Sequence, residues 1–256
     1  MYVEVITSKE NSNIKHARAL LDKKHRIETG HFLLEGKKFV SDAITSGYKI
    51  EKLFVDSAAG NKFDSIIASV DAPVFFVEPN VFKSLCDTQT PQGIIAELAL
   101  PFLGAYKYKK GDRLLVLDRI SDPGNMGTII RSAKATGFEY IFAIDCVDVY
   151  SPKVVRSSAG AVLSANIYPV EEKAIISYCA KHNITLLVAD MYGENIYDLN
   201  LDGDYAVVIG NEGHGVSDSF VSSGKLIKLP MKPGIESLNA GVSASVIMYI
   251  LEGKNI

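Results

Sequence analysis

The chain has 256 residues, of which 47% are hydrophobic and 22% charged, and its formal net charge is −3. These values are typical of a globular protein with one or two domains. They exclude a uniformly basic nucleic-acid-coating protein, although not a local basic face. Three cysteines without CxxC spacing argue against a disulfide framework or a cysteine-based zinc site and favour a reducing cytoplasm. With no apolar run approaching roughly 18 residues and no basic-then-apolar N-terminus, the sequence predicts neither a membrane span nor export.

Charge is distributed unevenly along the chain. Residues 1–38 carry eight basic and five acidic side chains, whereas residues 39–256 are net negative. Three of the five histidines also fall in the first stretch. A solvated helical face is the common explanation for such a pattern, and a contact surface for a polyanion is the alternative.

Helix-like and strand-like patterns alternate between Glu35 and Leu100. In chain order they predict a helix over 36–47, a strand over 49–56, a helix over 61–70, a strand over 73–78, a short helix over 80–86, a loop over 87–93 and a strand over 93–100. Residues 101–111 contain Pro101, Gly104 and Gly111 without periodicity, so they are predicted to link a domain over 1–100 to a second domain over 112–256.

The second domain shows a longer α/β rhythm. Short apolar runs alternate with helical patterns, which predicts a parallel sheet covered on both faces. The predicted strands are 113–120, 140–145, 166–170, 185–190, 205–210 and 226–230. The predicted helices are 125–136, 152–162, 171–182, 215–222 and 238–251.

Several familiar sites are missing from the sequence: GxGxxG after a strand, GxxxxGK[ST], HExxH and GxSxG. Three other segments stand out because each follows a predicted strand, and ligands bind at that edge of open α/β sheets. In the first, 114–139, a turn precedes Asn125, which is placed to cap a helix, and Arg131 lies almost two turns further on. A capped helix with a solvent-facing arginine is the structural alternative.

The second segment, 205–218, runs from a strand into GNEGHG, where three glycines let the backbone approach a ligand closely. A flexible loop is the alternative. In the third, 226–251, a loop after Pro230 leads to Ser237, Leu238 and Asn239 at the head of an apolar helix, with Ser237 as a reasonable N-cap.

In this order and spacing, the three segments resemble the signatures of the SpoU (TrmH) family of RNA ribose 2′-O-methyltransferases, in the knotted SPOUT superfamily. The resembling motifs are NMGTIIR, GNEGHG and LPMKPGIESLN, and the resemblance covers residues 112–256. The region before it is similar to the family's N-terminal substrate-binding domain through YKIEKLFV and DTQTPQGIIA. One departure, Ala240 and Gly241 after Asn239, leaves the polar motif positions intact.

The resemblance implies a C-terminal α/β domain with a parallel sheet and a deep trefoil knot, plus a smaller N-terminal α/β domain similar to a ribosomal-protein-like RNA-binding fold. Residue patterns alone predict an unknotted doubly wound sheet, because knots are very rare. The resemblance also implies a homodimer with the site at its interface, no metal, and methyl transfer from S-adenosylmethionine to RNA. The accessory N-terminal domain favours ribosomal RNA over transfer RNA.

Carried over residue by residue, the resemblance implies a catalytic set and a cofactor set, and the uneven charge of the chain suggests a third, RNA-binding set. The catalytic set is Asn125, Arg131, Glu212, Ser237 and Asn239. The cofactor set is Gly210, Leu229, Leu238, Asn211, Gly213 and Met231. The RNA-binding set, taken from the basic N-terminal stretch, is Lys15, Arg18, Lys23, Lys24, Arg26 and Lys37.

Arg131 has two possible roles. A guanidinium is almost always protonated, which favours a clamp on an RNA phosphate over a general base, with Asn125 and Glu212 orienting it. Two functions compete with methyl transfer: a catalytically silent RNA-binding protein of the same fold, and a glycine-loop enzyme acting on a small molecule. RNA binding that weakens steeply with salt separates the RNA functions from the last.

Overall fold

The computed structural model describes residues 4–234 and 237–253, which divide into two compact units. The first unit runs to Phe102 and includes Tyr150–Arg156. The second comprises Leu103–Val149 and continues from Ser157. The seven residues from 150 therefore pack with the first unit, although the sequence placed them in the C-terminal domain.

A five-stranded mixed sheet forms the centre of the first unit, in the order β1-β4-β3-β5-β2. β1, β4 and β3 run parallel, whereas β5 is antiparallel to both β3 and β2. The strands are β1 (Val5–Ile6), β2 (His31–Glu35), β3 (Ile50–Asp56), β4 (Val74–Val77) and β5 (Ile94–Ala99). The helices are α1 (Ser12–Ala19), α2 (Lys23–Thr29), α3 (Lys37–Thr45), α4 (Asp64–Ile67) and α5 (Pro79–Phe82).

The ends of these helices follow from local side-chain chemistry. Asn11 caps α1 by accepting from the N–H of Asn13 at 2.9 Å, and Asp22 caps α2 in the same way. The predicted helix over 61–70 is wrong in extent: residues 57–63 form 3₁₀ turns and only α4 is α-helical. Gly60, with φ of +57°, interrupts the helical path at that point.

The second unit contains a six-stranded, entirely parallel sheet in the order β11-β9-β10-β6-β7-β8. Its strands are β6 (Leu114–Asp118), β7 (Tyr140–Ile144), β8 (Asn166–Pro169), β9 (Thr185–Asn195), β10 (Tyr205–Ile209) and β11 (Lys225–Lys228). The helices that follow along the chain are α6 (Pro123–Ala135), α7 (Pro152–Ser157), α8 (Glu172–Lys181), α9 (Asp218–Ser223) and α10 (Ala240–Gly253). All of them belong to the second unit except α7, which belongs to the first unit up to Arg156. Every residue of β6 and β10 is buried, as expected for central strands of a parallel sheet.

The predicted linker is only partly a free connection. Tyr106 packs against the aromatic side chains of the second unit and donates its hydroxyl to Asp112 at 2.7 Å. The N–H of Tyr108 donates to the hydroxyl of Tyr178 at 2.9 Å. Burial and the bond to Asp112 raise the pKa of Tyr106. Residues 106–111 therefore belong to the second unit, because their tyrosines supply packing that periodicity does not reveal.

The α/β class and the parallel sheet are confirmed, while the trefoil knot stays a prediction of the resemblance. No helix in the described residues has the length and apolarity needed to cross a bilayer. The three cysteines are free thiols, and burial raises the pKa of Cys179 to about 12, so this side chain is neutral at physiological pH.

Candidate active site

A cavity of about 400 Å³ opens in the second unit, beside the carboxyl ends of β9, β10 and β11. This is the sheet edge at which the sequence predicted a ligand site. All six residues of the predicted cofactor set line it, together with two members of the predicted catalytic set. They are Gly210, Asn211, Gly213, Leu229, Met231 and Leu238 from the first set and Glu212 and Ser237 from the second.

The glycine loop after β10 is a small closed hairpin. Asn211 and Gly215 exchange two backbone hydrogen bonds of 3.1 and 2.9 Å, and the side chain of Asn211 accepts from the N–H of Gly213 at 2.8 Å. A Cβ on Gly210 would lie 2.5 Å from the backbone of Gly215, so only glycine fits this position. Gly210 therefore serves a defined fold of the loop, as does Gly215 with its φ of +66°, and this fold differs from the flexible loop of the structural alternative.

A buried carboxylate, which the sequence analysis missed, holds this loop from below. Asp118, the last residue of β6, is fully buried and accepts from the N–H of Ser217 at 2.7 Å. It also accepts two hydrogen bonds from Arg119, at 2.8 and 2.9 Å, and this pairing raises the pKa of the Arg119 guanidinium. The carbonyl of Arg119 in turn accepts from Asn211 at 2.9 Å.

Arg119 has a φ of +59°, which is rare for a residue other than glycine. It pairs with the residue immediately before it in the chain. One clue was present in the sequence: an ionisable pair directly after a fully apolar strand, at the sheet edge where ligands bind.

Asn125 connects the first motif to the glycine loop. Its side-chain amide donates to the carboxylate of Glu212, and Asn125 itself is nearly buried. It is not the N-cap that the sequence analysis allowed. Asp122 caps α6 and accepts from the N–H of Asn125 at 2.8 Å. Asp122 directly precedes the first residue of the helix, so its carboxylate reaches the free N–H groups of the first turn.

The third motif contributes Ser237 to the cavity lining and Asn239 to the start of α10. Asn239 caps α10 by accepting from the N–H of Val242 at 3.2 Å, so the predicted N-cap at Ser237 is wrong. Ser237 lies before the helix and lines the cavity. At Gly241 a Cβ would lie 3.3 Å from the side-chain oxygen of Asn125, which shows how tightly α10 packs on α6.

Arg131 is not brought to Asn125 or Glu212 in this chain. It is exposed on α6 and makes no hydrogen bond or ion pair with the described residues. Six residues along a helix separate two side chains by about 9 Å and about 120°. In one copy Asn125 and Glu212 therefore bond each other and not Arg131, and the expectation that they orient Arg131 stays a prediction.

Five of the six predicted RNA-binding residues are exposed in the first unit: Lys15, Arg18, Lys23, Lys24 and Lys37. Lys15 pairs with Glu10 at 2.5 Å. The sixth prediction, Arg26, is corrected. Its side chain is 3% exposed and donates to the carbonyl of Leu20 at 2.6 Å, because the residue after α1 leaves an unpaired carbonyl that the guanidinium satisfies.

Two family models match the chain. The SpoU rRNA Methylase family matches residues 112–249, and the MRM3-like substrate binding domain matches residues 11–96. The chain belongs to the SpoU rRNA methylase family. The resemblance read from the three motifs is thereby confirmed.

Individual proteins resemble the chain over nearly its whole length. The 23S rRNA (guanosine(2553)-2′-O)-methyltransferase RlmP of Bacillus subtilis is 28% identical, covering 97% of this chain and 99% of that protein. The AdoMet-bound rRNA methyltransferase of Sinorhizobium meliloti has a TM-score of 0.88 at 25% identity, with 99% of both chains covered. The SpoU methyltransferase AviRb of Streptomyces viridochromogenes, in complex with AdoMet, also has a TM-score of 0.88 at 25% identity, covering 96% and 98%.

Proposed function

We propose that this SpoU protein transfers a methyl group from S-adenosylmethionine to a ribose 2′-hydroxyl of ribosomal RNA. The observation that carries the proposal is the convergence of the glycine loop and the third motif on one cavity, with Asn125 of the first motif bonded to Glu212 at its wall. Two relatives are named as 2′-O-methyltransferases of 23S rRNA, which supports ribosomal RNA as the substrate class.

The cavity suits this cofactor chemically. Leu229, Leu238 and Met231 provide apolar walls, and the glycine loop provides backbone N–H and C=O groups for an adenine. The described lining contains two carboxylates, Asp190 and Glu212, and one lysine. Such a lining favours a ligand with cationic sulfonium and ammonium groups over a polyphosphate.

When bound, the cofactor supplies a methyl group already activated on its sulfonium. The chain must then hold the ribose oxygen in line and stabilise it as its proton leaves. In the proposed mechanism Arg131 clamps an RNA phosphate and stabilises the developing oxyanion, and the proton passes to a phosphate oxygen or water. Direct proton abstraction by Arg131 is the alternative and requires a strongly lowered guanidinium pKa.

The remaining polar residues of the proposed catalytic set act on the loops and the ribose. Asn125 holds the carboxylate of Glu212 at the cavity wall, and Asn239 fixes the start of α10. Ser237, exposed in the cavity lining, is available to the ribose. The cofactor contacts are proposed for the six lining residues named above.

Arg131 does not line the cavity of its own copy, which supports the proposed homodimer. Val242 and Tyr249 of α10 are 46% and 58% exposed, and α10 packs on the helix that carries Arg131. Burying this apolar face against a second copy would bring the Arg131 of one copy toward the cavity of the other. The free thiols favour the reducing cytoplasm as the compartment.

Mixing two inactive variants tests both the activity and the dimer. Subunits with Arg131→Ala and subunits with Glu212→Ala are inactive alone, and labelled methyl transfer to ribosomal RNA is measured after they are mixed. Each mixed dimer has one site with both residues intact, so about a quarter of normal activity returns after random exchange. No recovery by exchanging dimers contradicts the shared site. If the unmodified chain binds ribosomal RNA and never methylates it, the proposed methyltransferase activity is contradicted.

The division of labour between the two units is a separate proposal. The first unit selects the RNA through phosphate contacts of its exposed basic residues, and the second unit holds the cofactor and the chemistry. The fragment 103–256, which includes the packed tyrosines of the predicted linker, is then expected to bind S-adenosylmethionine and to methylate ribosomal RNA poorly. Methylation by this fragment as efficient as that by the full chain contradicts the proposal.

A further inference from the structure

An irregular segment of β9 carries two large side chains, Met191, which lines the cofactor cavity, and Tyr192, the next residue. β9 and β11 pair at Val188 with Leu226 and resume at Glu194 with Ile227, so residues 189–193 have no partner on β11. Pairing of β9 with β10 also ends at Val188. The unpaired segment, which we call the β9 bulge, lies at the carboxyl edge of the sheet. Bulges commonly re-aim side chains next to active sites.

The β9 bulge is a built feature of the fold. At Gly193 a Cβ would lie 2.4 Å from the backbone nitrogen of Ile227, so the chain returns to the sheet at a position that only glycine fits. At the other end, the carboxylate of Asp190 accepts from the N–H of Tyr192 at 2.8 Å and shapes the turn. The turn therefore has a defined shape that presents the side chains between these two points.

Two of those side chains are apolar and open to solvent. Met191 is 57% exposed and lines the cavity, and Tyr192, the next residue, is 82% exposed. The described residues provide no hydrogen-bond partner for the Tyr192 hydroxyl. The exposed ring next to a cavity-lining residue is available to a flat partner.

We propose that Tyr192 stacks on a nucleobase of the RNA substrate, with Met191 packed between that base and the cofactor cavity. The inference rests on the proposed function, since the 2′-hydroxyl must reach the mouth of this cavity and its nucleotide or a neighbour then lies against the β9 bulge. The carboxylate of Asp190, which accepts from the backbone N–H of Tyr192, repels phosphate and favours a base as the occupant. Aromatic rings are common stacking surfaces for unpaired RNA bases.

Steady-state kinetics on a ribosomal RNA transcript provides the first test. Tyr192→Ala is expected to raise the KM for RNA roughly 5- to 100-fold, the usual cost of losing one stacked base, while the dissociation constant of S-adenosylmethionine stays within about twofold. Tyr192→Phe recovers most of the loss because the ring is kept. Tyr197, which is 58% exposed and lies beyond the end of β9, outside the β9 bulge, is the matched control, and Tyr197→Ala leaves the KM for RNA unchanged.

A binding measurement tests stacking directly. The chain contains no tryptophan, so Tyr192→Trp and Tyr197→Trp each create a single fluorescent reporter. Saturable quenching by the transcript at position 192, without quenching at 197, supports the proposal. Equal quenching at both positions, or none at 192 when filter binding shows RNA bound, overturns it while the proposed function stands. If the fluorescence of Tyr192→Trp changes with protein concentration in the absence of RNA, the β9 bulge contacts a second copy. That result also overturns the stacking proposal. Absence of RNA binding by the unmodified chain contradicts the proposed function and this inference together.

Discussion

Among the described residues, each unit buries one carboxylate in its sheet, and the two are placed differently. Glu97 lies within β5 of the first unit, is 2% exposed, and pairs with Lys52 of β3 at 3.1 Å and with the imidazole of His16 on α1 at 3.0 Å. Asp118 ends β6 of the second unit and binds Arg119 and the backbone of Ser217.

The difference is one of position along the strand. A carboxylate in the middle of a strand can reach only neighbouring strands and the helix above, so Glu97 joins elements of the fold. A carboxylate at the carboxyl end of a parallel strand faces the loops where ligands bind, so Asp118 holds the glycine loop. The same buried charge therefore stabilises a fold in one unit and positions a site in the other.

The largest effect is expected for Arg131, which is proposed to act in the chemistry, whereas Glu97 and Asp118 act on the fold and on the glycine loop. Arg131→Ala is expected to lower turnover by about 10²–10³-fold or more, the scale for losing one donor to a transition state. Arg131→Lys recovers little because a point charge lacks the planar fork of a guanidinium. Single-turnover methyl transfer measures the turnover, and calorimetry measures the cofactor affinity, which is expected to stay nearly unchanged. Full activity in Arg131→Ala removes this residue from the mechanism.

Gly210→Ala tests how closely cofactor binding depends on the shape of the glycine loop. The new Cβ meets backbone atoms of Gly215 and Val216 at 2.5 Å, so the loop must open. We expect at least about a tenfold loss of S-adenosylmethionine affinity, which corresponds to about 1.4 kcal/mol, by calorimetry. His214→Ala, on the exposed tip of the same loop, is the control and changes affinity less. Equal losses in the two variants contradict this account of the loop.

Paired substitutions test the two carboxylates directly. Asp118→Asn removes the charge that holds Arg119 and is expected to weaken S-adenosylmethionine binding about tenfold, with a smaller change in turnover at saturating cofactor. Glu97→Gln is expected to lower the free energy of unfolding by about 1–2 kcal/mol and to leave cofactor binding intact. Urea unfolding and calorimetry on both variants give the comparison. The distinction between the two carboxylates is wrong if Glu97→Gln weakens cofactor binding as much as Asp118→Asn does.

The smallest expected effect concerns the basic surface of the first unit. Changing Lys23 and Lys24 together to alanine removes two exposed charges and is expected to reduce the slope of log affinity for RNA against log salt by about 1–2. Cofactor affinity and stability stay unchanged. Arg26→Ala provides the contrast, because it removes a buried bond to Leu20 and destabilises the unit instead. A salt slope unchanged in the double variant would move the RNA contact surface elsewhere.

Much of the site was readable from the order of residues because it consists of local motifs. GNEGHG after an apolar strand predicts a loop that approaches a ligand, and LPMKPGIESLN predicts a second loop at the same edge. The six predicted cofactor residues all line one cavity, since parallel strands bring their carboxyl ends together whatever their separation in the chain.

Tertiary structure decided which side chain meets which. Asp122 and Asn239, rather than Asn125 and Ser237, became the caps, because capping depends on where the helix starts within a few ångströms. Arg26 has the same charge as Lys24 but is buried, because the chain turns at Leu20 and offers a carbonyl. The Asp118 network and the β9 bulge depend on pairing between strands far apart in sequence, and no local pattern of residues specifies such pairing.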